Sequence, residues 1–125
     1  MLSDRLLLIL AAVGLVPIAL SYGIAPSAVL PGLIGVPVES AAQSQVFRAG
    51  MGLYLAMAAF WLAGALGSGL RRAALWSLFG FMAGLAAGRS VSLILDGWPG
   101  GVLFLYLGLE IAFGLLAAQA LRRSS

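Results

Sequence analysis

The sequence has no cysteine, no histidine and no lysine; seven arginines and four acids are its only charges. These absences exclude a good deal. Without cysteine there is no disulfide framework and no thiol nucleophile. Without histidine or cysteine there is no ordinary zinc site, no imidazole ligand for haem or chlorophyll, and no Ser-His-Asp triad. Without lysine there is no Schiff base and no P-loop. Four scattered acids make a poor cage for a hard metal. No cofactor is expected. The arginines form no long basic run, so nucleic acid is not an expected partner. Charge is scarce as well: 9% of the 125 residues are charged and 62% are apolar, with mean hydropathy +1.10. Soluble domains carry roughly 25% charged residues. A chain this poor in charge cannot cover a water-facing surface, and it reads as an integral membrane protein. Arginine without lysine, beside abundant Ala, Gly and Leu, suggests a high-GC bacterial genome, and a multi-pass protein of such a source is expected in the inner membrane.

What is present is hydrophobic length. Four apolar segments stand out, at about 6–22, 41–67, 73–95 and 101–121. Each approaches or exceeds the roughly 20 residues needed to cross a bilayer as a helix. The reading is a single all-α domain over 1–125, a four-helix transmembrane bundle. Ser40-Ala41-Ala42-Gln43 fits a capping box at the start of the second helix. Gly67-Ser68-Gly69 ends it, and Asp96-Gly97-Trp98-Pro99-Gly100 turns the third helix into the fourth. Pro17 could kink or shorten the first. The stretch from Gly23 to Glu39 has three prolines and many aliphatics, too apolar for a solvated loop. It is expected to cap the outer helix ends, or to form a lid over a cavity.

Orientation follows from the arginines. Arg5, Arg71, Arg72, Arg122 and Arg123 all fall on one side of a four-span bundle, and the opposite loops contain none. Both termini are therefore expected in the cytoplasm. A cleaved leader is the less favoured alternative, because Asp4 offsets Arg5.

Three charges lie inside the spans: Arg48, Arg89 and Glu110. Counted from the outer helix ends at 1.5 Å per residue, they sit roughly 12, 10 and 15 Å deep. Charges at such depth normally face the bundle interior, paired or lining a wet cavity. The third and fourth helices form a hairpin, which makes Arg89 and Glu110 natural partners. Ser92 and Asp96 share a face with Arg89, Tyr106 is one turn from Glu110, and Gln45 shares a face with Arg48. The expectation is a polar core of Arg48, Arg89, Ser92, Tyr106 and Glu110, with Asp96 at its mouth. It could be a register-fixing ion pair, a ligand site, or a step on a proton or ion path.

Gly80, Gly84 and Gly88 form a G-x-x-x-G-x-x-x-G run, with a similar small stripe at Ala59, Ala63 and Gly67. Such stripes let helices approach closely. Packing within the chain is the first expectation, and a homodimer the alternative.

The segments Tyr22-Gly23-Ile24-Ala25-Pro26, Phe47-Arg48-Ala49-Gly50-Met51-Gly52-Leu53-Tyr54 and Gly88-Arg89-Ser90-Val91-Ser92, with Asp96-Gly97-Trp98-Pro99 and Glu110, carry a resemblance. The chain resembles an uncharacterised family of small bacterial four-helix integral membrane proteins, a domain of unknown function. The Gly-Arg-x-x-Ser-x-x-x-Asp-Gly-x-Pro segment is its most specific part. The resemblance implies a four-span bundle and supplies no activity. In layout the chain is also distantly similar to the DoxX-like membrane proteins, by architectural analogy only.

Two functional classes remain. One is a binding protein for an anionic lipid or amphiphile, with membrane lipids as partners, Arg48 on the anion and Arg89 oriented by Glu110. The other is an accessory subunit of a larger membrane complex. An intramembrane enzyme would have only Glu110, Asp96, Tyr54, Tyr106 and Ser92 to work with, in no diagnostic spacing, and is not expected.

Overall fold

The computed structural model describes residues 3–123 and is all-helical among them. Its elements are α1 (Asp4–Gly23), α2 (Pro26–Ile34), α3 (Ala41–Leu66), α4 (Ser68–Asp96) and α5 (Gly101–Arg123). Four of the five, α1, α3, α4 and α5, are long and apolar enough to cross a membrane. The expected four-span bundle is thus present, with two differences in its boundaries and one added element.

The added element is α2, inside the stretch expected to be a loop. Pro26 opens it at the helix start, where a missing N–H costs nothing. Gly35 closes it with φ +74°, its N–H bonding back to the Leu30 and Pro31 carbonyls. Leu30 is fully buried, in a cluster with Tyr22 and Val38 that Ile18 and Phe47 flank. The apolar composition therefore builds a cap over the ends of α1 and α3.

The boundary differences lie at the ends of helices. α1 starts at Asp4, where Ser3 caps it by accepting from the Leu6 N–H at 3.1 Å. α4 starts at Ser68 rather than near residue 73, so Gly67 alone separates it from α3. Arg71 makes so tight a hairpin possible. Its Nε donates to the Gly64 carbonyl at 3.2 Å and its Nη2 to the Ala65 carbonyl at 2.8 Å, satisfying α3's last turn. Gly64 is required here, since a methyl group in its place would collide with the Ala74 side chain. The expected capping box forms: Gln43 N–H donates to Ser40 Oγ at 3.2 Å, and Ser40 N–H to Gln43 Oε1 at 3.1 Å.

α1 packs chiefly on α3, α3 on α4, and α4 on α5. The apolar core fills the half of the bundle that holds the chain termini. It includes Leu7, Leu8 and Ala11 of α1, Trp61 and Ala65 of α3, Leu75 and Leu78 of α4, and Ala117 and Leu121 of α5. Trp61, fully buried, donates its indole N–H to Ser77 Oγ at 3.0 Å. At the same end, Arg123 of α5 pairs with Asp4 of α1 at 2.8 Å. A ladder of rings runs from this core toward the α2 end, through Trp61–Phe81, Tyr54–Phe81 and Tyr22–Tyr54.

The glycine run does not pack within the chain. Gly80, Gly84 and Gly88 are exposed, and a methyl group at any of them would meet no atom within 4 Å. The cause is rotational. α4 buries Ala74, Leu78 and Met82, and Gly80 and Gly84 stand two residues beyond the last two, about 200° around the helix. The close approaches fall instead at Gly64 on Ala74 and Gly23 on Met51. On α3 the small stripe is likewise unburied: Ala59 and Gly67 are exposed, and Ala63 is only partly covered.

Candidate functional site

The polar cluster sits in the half of the bundle nearer α2. Glu110, on α5, is the only buried charged residue among those described, at 6% exposure. Arg89, on α4, reaches it across the hairpin. Its Nε lies 2.9 Å from both Glu110 Oε1 and Oε2. The pair expected from their shared depth is thus present. Such a pair suits a low-dielectric setting only because each charge has the other. The guanidinium carbon stands 5.7 Å from the centroid of the Tyr106 ring, within range of a cation–π contact. Tyr22 is also close enough to Arg89 to interact with it.

Two cavities meet at Arg89. One is a small interior void of about 40 Å³, lined by Tyr54, Tyr106, Arg89 and Glu110 together with apolar side chains of α1, α4 and α5. The other is a groove of about 340 Å³ between α4 and α5, lined by Gly84, Gly88, Arg89, Ser92, Phe104 and Leu107 among others. Arg89 keeps 22% of its side chain accessible, against 8% for Glu110. Both of its bonds to Glu110 come from Nε, so the carboxylate uses neither terminal amino group. The groove exists because two glycines present no side chain to fill it. It is polar at one end, where Arg89 and Ser92 lie, and apolar along the rest.

The other expected residues divide. Ser92 lines the groove and donates to Asp96 Oδ2 at 2.8 Å; both are exposed near the α4 C-terminus, and Asp96 stands beside the groove lining rather than in it. Tyr106 belongs to the cluster. Arg48 does not. It lies on the exposed face of α3, as does Gln45, and makes no ion pair or side-chain hydrogen bond among the described residues. The reason is again rotational. α3 turns Phe47, Tyr54, Ala58 and Trp61 inward, and Arg48 is one residue past Phe47, about 100° off that face.

Sequence reasoning missed Tyr22 and Tyr54 as neighbours of the pair, and missed the groove. The signal for the groove was present: Gly80, Gly84, Gly88, Ser92 and Asp96 form one unbroken i, i+4 row. The middle of that row, Gly84, Gly88 and Ser92, lines one wall of the groove, where the small residues meet the polar ones.

The family's sequence model spans residues 3–121, from the α1 cap into the last turns of α5. The chain belongs to the family described as a domain of unknown function, DUF4345. The match takes in every element of the cluster and both walls of the groove. No curated protein and no solved structure matches the chain.

Proposed function

We propose that this small multi-pass membrane protein binds an amphiphile drawn from the surrounding bilayer. The polar head meets the free side of Arg89, and the chain lies along the glycine floor between α4 and α5. The observation that carries this reading is the groove itself: an apolar furrow on the outside of the bundle with one partly accessible guanidinium at its end. Pockets of a few hundred Å³, mainly apolar with a few polar groups, are the usual form of a small-molecule site. Glu110 has a positioning part, since it holds the guanidinium at the groove wall. Five arginines at the opposite end of the bundle support an orientation with both termini in the cytoplasm, in a bacterial inner membrane. The groove then opens toward the outer leaflet.

The test is purification from native membrane with identification of retained lipids and metabolites, for the natural chain and for Gly88→Leu. A Cβ at Gly88 meets no atom within 4 Å, so a leucine there can extend into the groove and the fold should survive while the groove fills. Loss of a retained amphiphile in the variant is the expected result. An unchanged set of retained molecules would remove the groove as the site.

A second reading has its own observation. α4 is the least buried of the four spans, and its exposed glycine row would admit another helix. An accessory subunit of a larger complex, or a homodimer, would cover that face. Stoichiometric protein partners in the same purification would favour it.

A further inference from the structure

The charges around the groove do not suit a purely anionic head. The sequence placed two arginines in the cluster, but the structure retains one. Arg89 is balanced by Glu110, and Asp96, bonded at 2.8 Å by Ser92 of the groove wall, adds a second carboxylate next to the lining. The formal sum of the three is one negative charge. An anionic head brought to Arg89 would also approach Asp96. That end of the groove offers more than a carboxylate, however. Trp98 lies two residues beyond Asp96, and its ring sits 5.0 Å from that of Phe104, which lines the groove. Both rings are exposed, at 68% and 46%. An ammonium group over an aromatic face is stabilised by the ring quadrupole, and Asp96, two residues before Trp98 in the chain, adds charge of the complementary sign.

We infer that the groove selects a zwitterionic head, with its anionic group on Arg89 and its ammonium between Asp96 and the Trp98–Phe104 pair. This rests on the groove reading above and refines it. Arg89 offers the N–H groups that Glu110 leaves unused, suited to phosphate or carboxylate oxygens. Ser92 keeps its hydroxyl proton on Asp96, which fixes that carboxylate beside the groove lining. An aminoethyl phosphate head, as in phosphatidylethanolamine, has both charges with a short spacer between them. A phosphatidylglycerol head has the phosphate but no ammonium, so it meets Arg89 while facing Asp96 uncompensated.

The experiment uses the full chain in detergent micelles containing phosphatidylethanolamine and phosphatidylglycerol with identical acyl chains. Bound lipid is counted by native mass spectrometry for the natural chain, Asp96→Asn, Trp98→Ala and Gly88→Leu. The natural chain should prefer the ethanolamine lipid by roughly three- to tenfold, the scale of one partly exposed charge contact. Asp96→Asn should abolish that preference, and Trp98→Ala should reduce it. Gly88→Leu should lower both lipids together. A natural preference for phosphatidylglycerol, or a ratio that Asp96→Asn leaves unchanged, would overturn the zwitterion assignment while leaving the groove intact. Equal binding of both lipids to the natural chain and to Gly88→Leu would overturn the groove reading itself.

Discussion

Arg89 holds its position through one carboxylate and the rings beside it. The two 2.9 Å contacts to Glu110 fix the guanidinium, and the Tyr106 face lies beside it. Removing the carboxylate leaves a cation that cannot discharge, because an arginine proton is held too tightly. Glu110→Gln should therefore destabilise the bundle by about 3 kcal/mol, the low end for a broken buried pair, since Arg89 keeps access to the groove. Arg89→Gln on that background should recover part of the loss. A double-mutant cycle measured by thermal unfolding in detergent reads the coupling directly. Effects that add within about 0.5 kcal/mol would show no interaction. Arg48→Gln serves as the contrast: exposed and outside the cluster, it should show no coupling to Glu110. Coupling there would mean that α3 is rotated from the arrangement described.

At the scale of the element, hydropathy located the spans well, because a bilayer demands length and apolarity before anything else. It could not say which way each helix faces. In water, a helix shows its buried side by keeping polar residues off it. Here lipid and core are both apolar, so Leu53 or Leu105 could stand on either side, and both are exposed. The same ambiguity misplaced Arg48 and the glycine run. The pair of Arg89 and Glu110 was legible because depth and hairpin connectivity do not depend on rotation. α2 was not, because Pro31 inside a nine-residue segment weakens every helical signal except its ends. The corrected rotation of α4 gives a paired prediction. Gly64→Ala, where the methyl group meets Ala74, should cost about 1–3 kcal/mol. Gly84→Ala, with open space around it, should stay within about 0.5 kcal/mol. Thermal unfolding in detergent compares them. A costly Gly84→Ala would reveal a close neighbour on α4, such as a second copy of the chain.

Across the whole molecule the two ends differ. One end has five of the seven arginines and a dense apolar core; the other has the polar cluster, the groove and the α2 cap. Glu110 is the only buried charged group among the described residues, and Leu15, Phe81 and Met82 line the void beside it. Among the described residues no relay of titratable groups continues from the cluster through the apolar half, which sets the proton-path alternative behind the binding reading. The arginine asymmetry predicts that reporter fusions after Ser68 and at the C-terminus both read as cytoplasmic. A periplasmic signal at either would invert the account's view of which leaflet supplies the ligand.

The central claim is that the furrow between α4 and α5 is filled by an amphiphile. An experimental structure of the protein in lipid nanodiscs made with native membrane lipids tests it most directly. The account predicts elongated density along Gly84 and Gly88, with its polar end within hydrogen-bonding distance of the Arg89 terminal amino groups. A groove occupied by a helix of another chain, or closed by α4 and α5 coming together, would contradict it.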